Sequence, residues 1–395
     1  MKVLICTVFD IDVPCAGLNR LNHMSKALNP FGIECLISVG SGSIDMEGEV
    51  WKYWEDQNQK YIIFDKKIFT AKRHCNAMRI TATAAKFYKK YLSEIIYKLS
   101  ISGIIVYSPQ SQLVSPLFSI CQKNKAFVIA DCTENFSLSY RHILNGVIYQ
   151  QFMFRVFQMK KLHGAIISSP RWLLDTKKAN IKASLIPGFL DPKECFREYE
   201  NVKLDNFKIT IMGRLSGREM PSVVIKALKI CQQNKLNFEV NIVGSSNGGW
   251  MESYWLNKLK KDSGNVIVHG YVSNNERDKI LAASDIFIML RQPSKETEYI
   301  YPSRVSEYLY SGNPVILTDT PTLNEFFQKG SGAYFISNKN DSTELAQLIM
   351  NLADKPLERF ECGKKGRKYA LKHFSLKVMG EKLSDFIDVI NNECL

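Results

Sequence analysis

Two short stretches hold residues whose types and spacing could do chemistry. In "ITIMGRLSGREM", Gly213 and Arg214 follow directly on an apolar run, with Arg218 four residues further on. An arginine at that place can fork onto a diphosphate, and a glycine lets the backbone approach it. In "YPSRVSEYLYSGNPVILTD" (301–319), Glu307 lies off the helical face made by Val305, Tyr308 and Leu309. Ser303, after Pro302, can cap the start of that helix, and Gly312-Asn313-Pro314 can stop it. Alone, Glu307 reads either as a solvated surface charge or as a ligand-binding carboxylate. The rest of the chain must choose.

Such residues need elements to hold them, and the chain alternates strands with helices. "KVLICTV" (2–8), "IECLISVG" (33–40), "GIIVYS" (103–108), "AFVIAD" (126–131), "GAIISS" (164–169) and "ASLIPG" (183–188) read as strands with helical segments between. After the polar stretch "DPKECFREYENVKLDN" the alternation restarts. "FKITIMG" (207–213), "FEVNIVG" (238–244), "VIVHG" (266–270), "DIFIML" (285–290) and "PVILTD" (314–319) form the second series. This pattern predicts an α/β chain of two Rossmann-like domains, residues 1–190 and 191–374, with parallel sheets covered on both faces. Ligands are expected at the carboxyl ends of strands, in the cleft across which the domains face each other. The segment 375–395 carries Leu376, Met379, Leu383, Phe386 and Ile387 at helical spacing, and so requires an apolar surface.

Composition narrows the class. The chain has 395 residues, 45% apolar and 23% charged, as a soluble two-domain protein would. Its ten cysteines are scattered, with no CxxC pair and no Cys/His ligand spacing, which predicts free thiols in a reducing cytoplasm. The first residues hold too short an apolar run for a signal peptide, and no stretch could span a membrane. No GxGxxG follows the first strand and no Walker A sequence occurs, which removes the dinucleotide and NTPase readings.

In order, "GRLSG…VIKAL", "IVGSSNGG", "HGYVSNNERDKILAASDIFIML" and "YPSRVSEYLYSGNPVILTD" resemble the family 4 retaining glycosyltransferases of GT-B fold. The resemblance covers about residues 205–335. The amino half shares only a layout: strand, glycine loop around Gly17, helix. It implies transfer of a sugar from a nucleotide-diphosphate sugar to a glycan or lipid-linked acceptor, with retention, in cell-surface polysaccharide synthesis. It implies that Glu307 accepts from the ribose hydroxyls, with Ser303 and Arg304 beside the phosphates. Both roles fit the physics, since a carboxylate can accept from two vicinal hydroxyls and a helix N-terminus favours anions. Gly17, Gly213, Gly244, Val272 and Glu298 complete the expected nucleotide-sugar contacts. Arg214 and Arg218 would stabilise the leaving diphosphate in place of a metal ion. Asp131 and Glu134, at the end of an amino-domain strand, would supply a polar group near the sugar. No cofactor and no metal are expected.

This sequence departs from the family at two places. The family's second glutamate, eight residues before Glu307, is replaced by Tyr299, with Glu296 and Glu298 close by: either Glu298 serves through a shifted loop or that contact is absent. The family's phosphate-binding lysine aligns with Glu219, leaving Arg218 as the adjacent cation. "DID" (10–12) matches the metal-binding DxD of another glycosyltransferase class, but stands wrongly for it, just after the first strand. A nucleotide-sugar epimerase of the same fold is the alternative enzyme. A non-catalytic basic protein binding membrane or nucleic acid is the other alternative. No nucleic-acid module is present.

The net charge is +13, and between Lys60 and Lys98 ten Lys/Arg face only Asp65 and Glu94, a local excess of +8. Phe87, Tyr91, Ile95 and Leu99 recur every four residues among the lysines. A helix of this kind packs its apolar side on the core and can lay its lysines on anionic lipid. The expected location is therefore cytoplasmic and peripheral to the inner face of a membrane.

Overall fold

The computed structural model describes residues 1–12, 15–56, 58–65, 77–134, 146–192, 207–213, 215, 219–244, 250–327, 330–337 and 341–394. The chain divides into two compact units. Met1–Phe189, Tyr299–Tyr301 and Leu376–Leu395 form the first, and Leu190–Glu298 with Pro302–Ser375 form the second.

The first unit is built on an eight-stranded sheet. Its strands are β1 (Lys2–Cys6), β2 (Glu34–Gly40), β3 (Trp51–Asp56), β4 (Gln59–Phe64), β5 (Gly103–Tyr107), β6 (Phe127–Cys132), β7 (Gly164–Ile167) and β8 (Lys182–Leu185). The order is β3-β4-β2-β1-β5-β6-β7-β8, parallel except for the β3–β4 hairpin at one edge. In β1, Val3 and Ile5 enter one core and Leu4 and Cys6 the other. A strand buried on both faces reads as an unbroken apolar run, which is why the sequence reveals it. The hairpin has no such run on β3 ("WKYWED"), and the sequence reading misses it.

Helix Ala16–Leu28 and the last helix, Leu376–Cys394, cover one face of this sheet. Met379, Leu383, Ile387 and Ile390 bury against Leu21, Met24 and Leu28. Helix Ala77–Leu99 covers the other face with Phe87, Tyr88, Leu92, Ile95 and Ile96. Its lysines 86, 89, 90 and 98 point outward; Lys98 pairs with Glu94 at 2.7 Å. The basic residues Lys66, Lys67, Lys72 and Arg73 lie outside the described residues.

The second unit holds β9 (Phe207–Met212), β10 (Phe238–Val243), β11 (Val266–Gly270), β12 (Ile286–Met289), β13 (Val315–Thr318) and β14 (Ala333–Ile336). All pair in parallel, in the order β11-β10-β9-β12-β13-β14. The four-residue β14 is absent from the sequence reading. Helices Pro221–Gln233 and Ser342–Asp354 pack one face, and Tyr308 of helix Arg304–Ser311 stacks on Phe287 of β12 on the other. Strand order reverses between β9 and β12, where an open parallel sheet forms its ligand crevice. Thus Gly213 and helix Arg304–Ser311 both belong to the switch point. Two α/β units with parallel sheets make up the architecture expected from the alternation.

Candidate functional site

Three neighbouring strands of the second unit end on left-handed glycines: Gly213 (φ +115°), Gly244 (φ +82°) and Gly270 (φ +69°). The Gly213 N–H donates to the Val243 carbonyl and the Gly244 N–H to the Gly270 carbonyl, each at 2.7 Å. These bonds hold the strand ends in register, and positive φ turns the chain away at little steric cost only in glycine. Val272 follows, half-buried, just before the Ser273–Glu276 capping box. Gly213, Gly244 and Val272 therefore share one carboxyl edge of the sheet.

Arg304 closes over this edge. Its Nη1 donates to the Met212 carbonyl, and a Cβ added to Gly213 would strike that guanidinium. Tyr308, one turn later, is fully buried and accepts from the Met212 N–H at 3.2 Å. Burial pushes its phenol up to about 12, with Arg304 opposing and Glu307 reinforcing the shift. The tyrosine stays neutral and pins the helix to β9 and β12. Glu307 is half-buried beside it.

Ser303 does not cap the helix through its side chain, contrary to the sequence expectation. It is exposed and already helical (φ −52°, ψ −30°). The first turn is instead tight, Val305 and Ser306 N–H donating to the Pro302 and Ser303 carbonyls. Gly312 ends the helix at φ +85°, as the sequence predicts. Arg214 and Arg218 lie outside the described residues. We expect Gly213→Ala to weaken nucleotide binding at least tenfold by calorimetry, since φ +115° strains any side chain and the new methyl displaces Arg304. Wild-type affinity in that variant would remove Gly213 and Arg304 from the site.

Glu298 ends the short helix Lys295–Glu298 of the second unit, and its carbonyl accepts from Thr322. Tyr299, at the place of the family's second glutamate, is buried in the first unit. Its hydroxyl accepts from Arg155 at 2.7 Å, and its carbonyl accepts from Trp172 Nε1 at 3.2 Å. Position 299 thus serves packing.

In the first unit, Gly17 is the second residue of helix Ala16–Leu28, where a Cβ would strike the Phe9 ring and the Tyr107 hydroxyl. Cys15 caps this helix, its Sγ accepting from Leu18 N–H at 3.4 Å. Asp131 is wholly buried, and both its oxygens are taken by Arg20: Nε at 3.0 Å and Nη2 at 2.9 Å. Arg20 also donates to the carbonyls of Ile186 and Pro187. A carboxylate engaged on both oxygens positions its neighbours, and sequence reasoning missed Arg20 entirely. Glu134 is exposed, with its carbonyl accepting from Gln151. Of the DID stretch, Asp10 accepts from the Asp12 N–H, and Asp12 accepts from the Ser43 N–H, so both carboxylates brace loops. Among the described residues no three His, Cys, Asp or Glu gather as a metal site.

Residues 192–369 match the family described as glycosyl transferases group 1. No curated protein matches the chain. Among solved structures, sucrose-phosphate synthase from Thermosynechococcus elongatus is 12% identical over 99% of both chains, with a TM-score of 0.74. A glycosyltransferase from Rickettsia africae is 13% identical over 98% of both chains, at 0.70. HepE from Anabaena, in complex with UDP and glucose, is 12% identical over 98% of this chain and 99% of its own, at 0.69. The protein has the GT-B fold, and its residues 192–369 match the glycosyl transferases group 1 family.

Proposed function

We propose that the protein moves a hexosyl group from a nucleotide-diphosphate sugar to a glycan or lipid-linked acceptor, with retention, in cell-surface polysaccharide synthesis. The observation that carries this reading is the convergence of Gly213, Gly244, Arg304 and Glu307 at the switch point of the second sheet. An arginine over glycine-ended strands suits a diphosphate, and a carboxylate one turn along suits a ribose diol. A relative of the same fold is solved with UDP and glucose, which favours a uridine nucleotide. In the proposed step, the bond from the anomeric carbon to the diphosphate oxygen breaks and the acceptor oxygen bonds to that carbon on the same face. The acceptor proton passes to the leaving phosphate. Arg214 and Arg218 stabilise the developing charge, so no metal or cofactor is required. Asp131, held by Arg20, shapes the strand end, and Glu134 is the acid there that reaches solvent. A cytoplasmic place at the inner face of a membrane follows from the lipid-linked acceptor and the charge of +13.

The test is slow donor hydrolysis with UDP- and GDP-sugars, run with EDTA. We expect release of free sugar from at least one donor, unchanged by chelation. Loss of activity on chelation, restored by magnesium or manganese, would overturn the role given to Arg214 and Arg218. Absence of hydrolysis and of nucleotide binding would overturn the donor reading itself.

A further inference from the structure

The first unit leaves one helical face apolar and open. In Val147–Met153 and its continuation Phe154–Gln158, the buried side is Val147, Gln150, Gln151 and Phe154. The opposite side carries Tyr149 (59% exposed), Phe152 (56%), Val156 (45%) and Phe157 (48%). A surface helix of a globular domain normally turns polar residues outward, so this face is inverted. Helix Leu173–Ala179 lies beside it, tied by the Arg155–Asp175 ion pair at 2.6 Å, and adds exposed Leu174.

The rim of this patch is basic. Lys160, Lys161, Lys177 and Lys178 are all exposed around it. From residue 147 to residue 182 there are seven Lys/Arg and one acid, Asp175, which Arg155 already neutralises. A second copy of the chain is a poor occupant, because a two-fold contact would press like charges together. Aromatic side chains among lysines match the boundary of an anionic bilayer, where rings enter the headgroup layer and ammonium groups meet phosphates. The lysine face of helix Ala77–Leu99 differs: among its described side chains Tyr97 is the one large apolar group left mostly exposed, and Lys98 is paired.

We infer that the face made by residues 149–157 and 174–178 seats the protein on an anionic lipid surface. This deepens the inner-leaflet placement proposed above and rests on it. No helix among the described residues is long and apolar enough to cross a membrane, so the contact is interfacial.

The experiment is sedimentation of the full chain with vesicles of phosphatidylglycerol and phosphatidylcholine in equal parts, against pure phosphatidylcholine. Binding is expected to the anionic vesicles only. Phe152→Ser/Phe157→Ser should lower partitioning roughly tenfold or more, with donor hydrolysis and thermal unfolding unchanged. Salt should release the wild type only in part, because ring insertion is not screened. Wild-type partitioning in the double variant, or a loss confined to Lys86→Ala/Lys89→Ala/Lys90→Ala, would overturn the face assignment. A dimer in solution that the double variant dissociates would also overturn it and give the face to a second copy. Failure of every vesicle to bind would overturn the inner-leaflet placement too, while intact donor hydrolysis would leave the transferase reading standing.

Discussion

Replacing Arg20 with alanine is expected to destabilise the first unit by about 3–5 kcal/mol, because it strands a buried carboxylate. Asp131 is wholly buried and relies on Arg20 for both oxygens. The same change removes the bonds to the Ile186 and Pro187 carbonyls, which fix the chain where the first unit ends. Amide exchange in β6 reads this locally, as a loss of protection of roughly two to four orders of magnitude. Adding Asp131→Asn should recover part of the loss, since a neutral amide costs less to bury than an unpaired charge. Wild-type protection in Arg20→Ala would show that the pair carries no stability. A double variant worse than the single one would show that Asp131 has another partner.

Replacing Glu307 with alanine is expected to weaken nucleotide binding by about 1.5–3 kcal/mol, roughly ten- to a hundredfold. Arg214→Ala is expected to act mainly on turnover, because its charge complements one that grows as the diphosphate leaves. Calorimetry with UDP and GDP, paired with donor hydrolysis at saturating donor, separates the two effects. Unchanged nucleotide affinity in Glu307→Ala would remove the ribose assignment. The variant should remain folded, since the helix is held by Tyr308, which stacks on Phe287 at 4.3 Å and bonds to β9.

Much of the fold was legible because its causes are local. β1 and β9 read as strands because burial on both faces demands an apolar run, whatever lies elsewhere. Gly213, Gly244 and Gly312 announced turns because positive φ is a property of one residue. The role proposed for Glu307 is not local, since neighbouring residues alone also allow a surface charge. It rests on four motifs in order and on Arg304 brought back over Gly213.

The rest was decided by tertiary structure, where distant residues meet. Arg20 and Asp131 are 111 positions apart and join only because β1 and β6 flank β5. Tyr299 reads as a lost site residue, yet the fold spends it on Arg155 and Trp172. Ser303 has the right side chain for a cap, and a tight first turn takes the N–H groups it would have met. Cys15, an unpromising cap by type, receives one because the chain delivers Leu18 N–H to its sulfur. Sequence sets what each residue can do with its immediate neighbours; the sheet order sets which far neighbours it is given, and that choice gives buried Asp131 its partner Arg20.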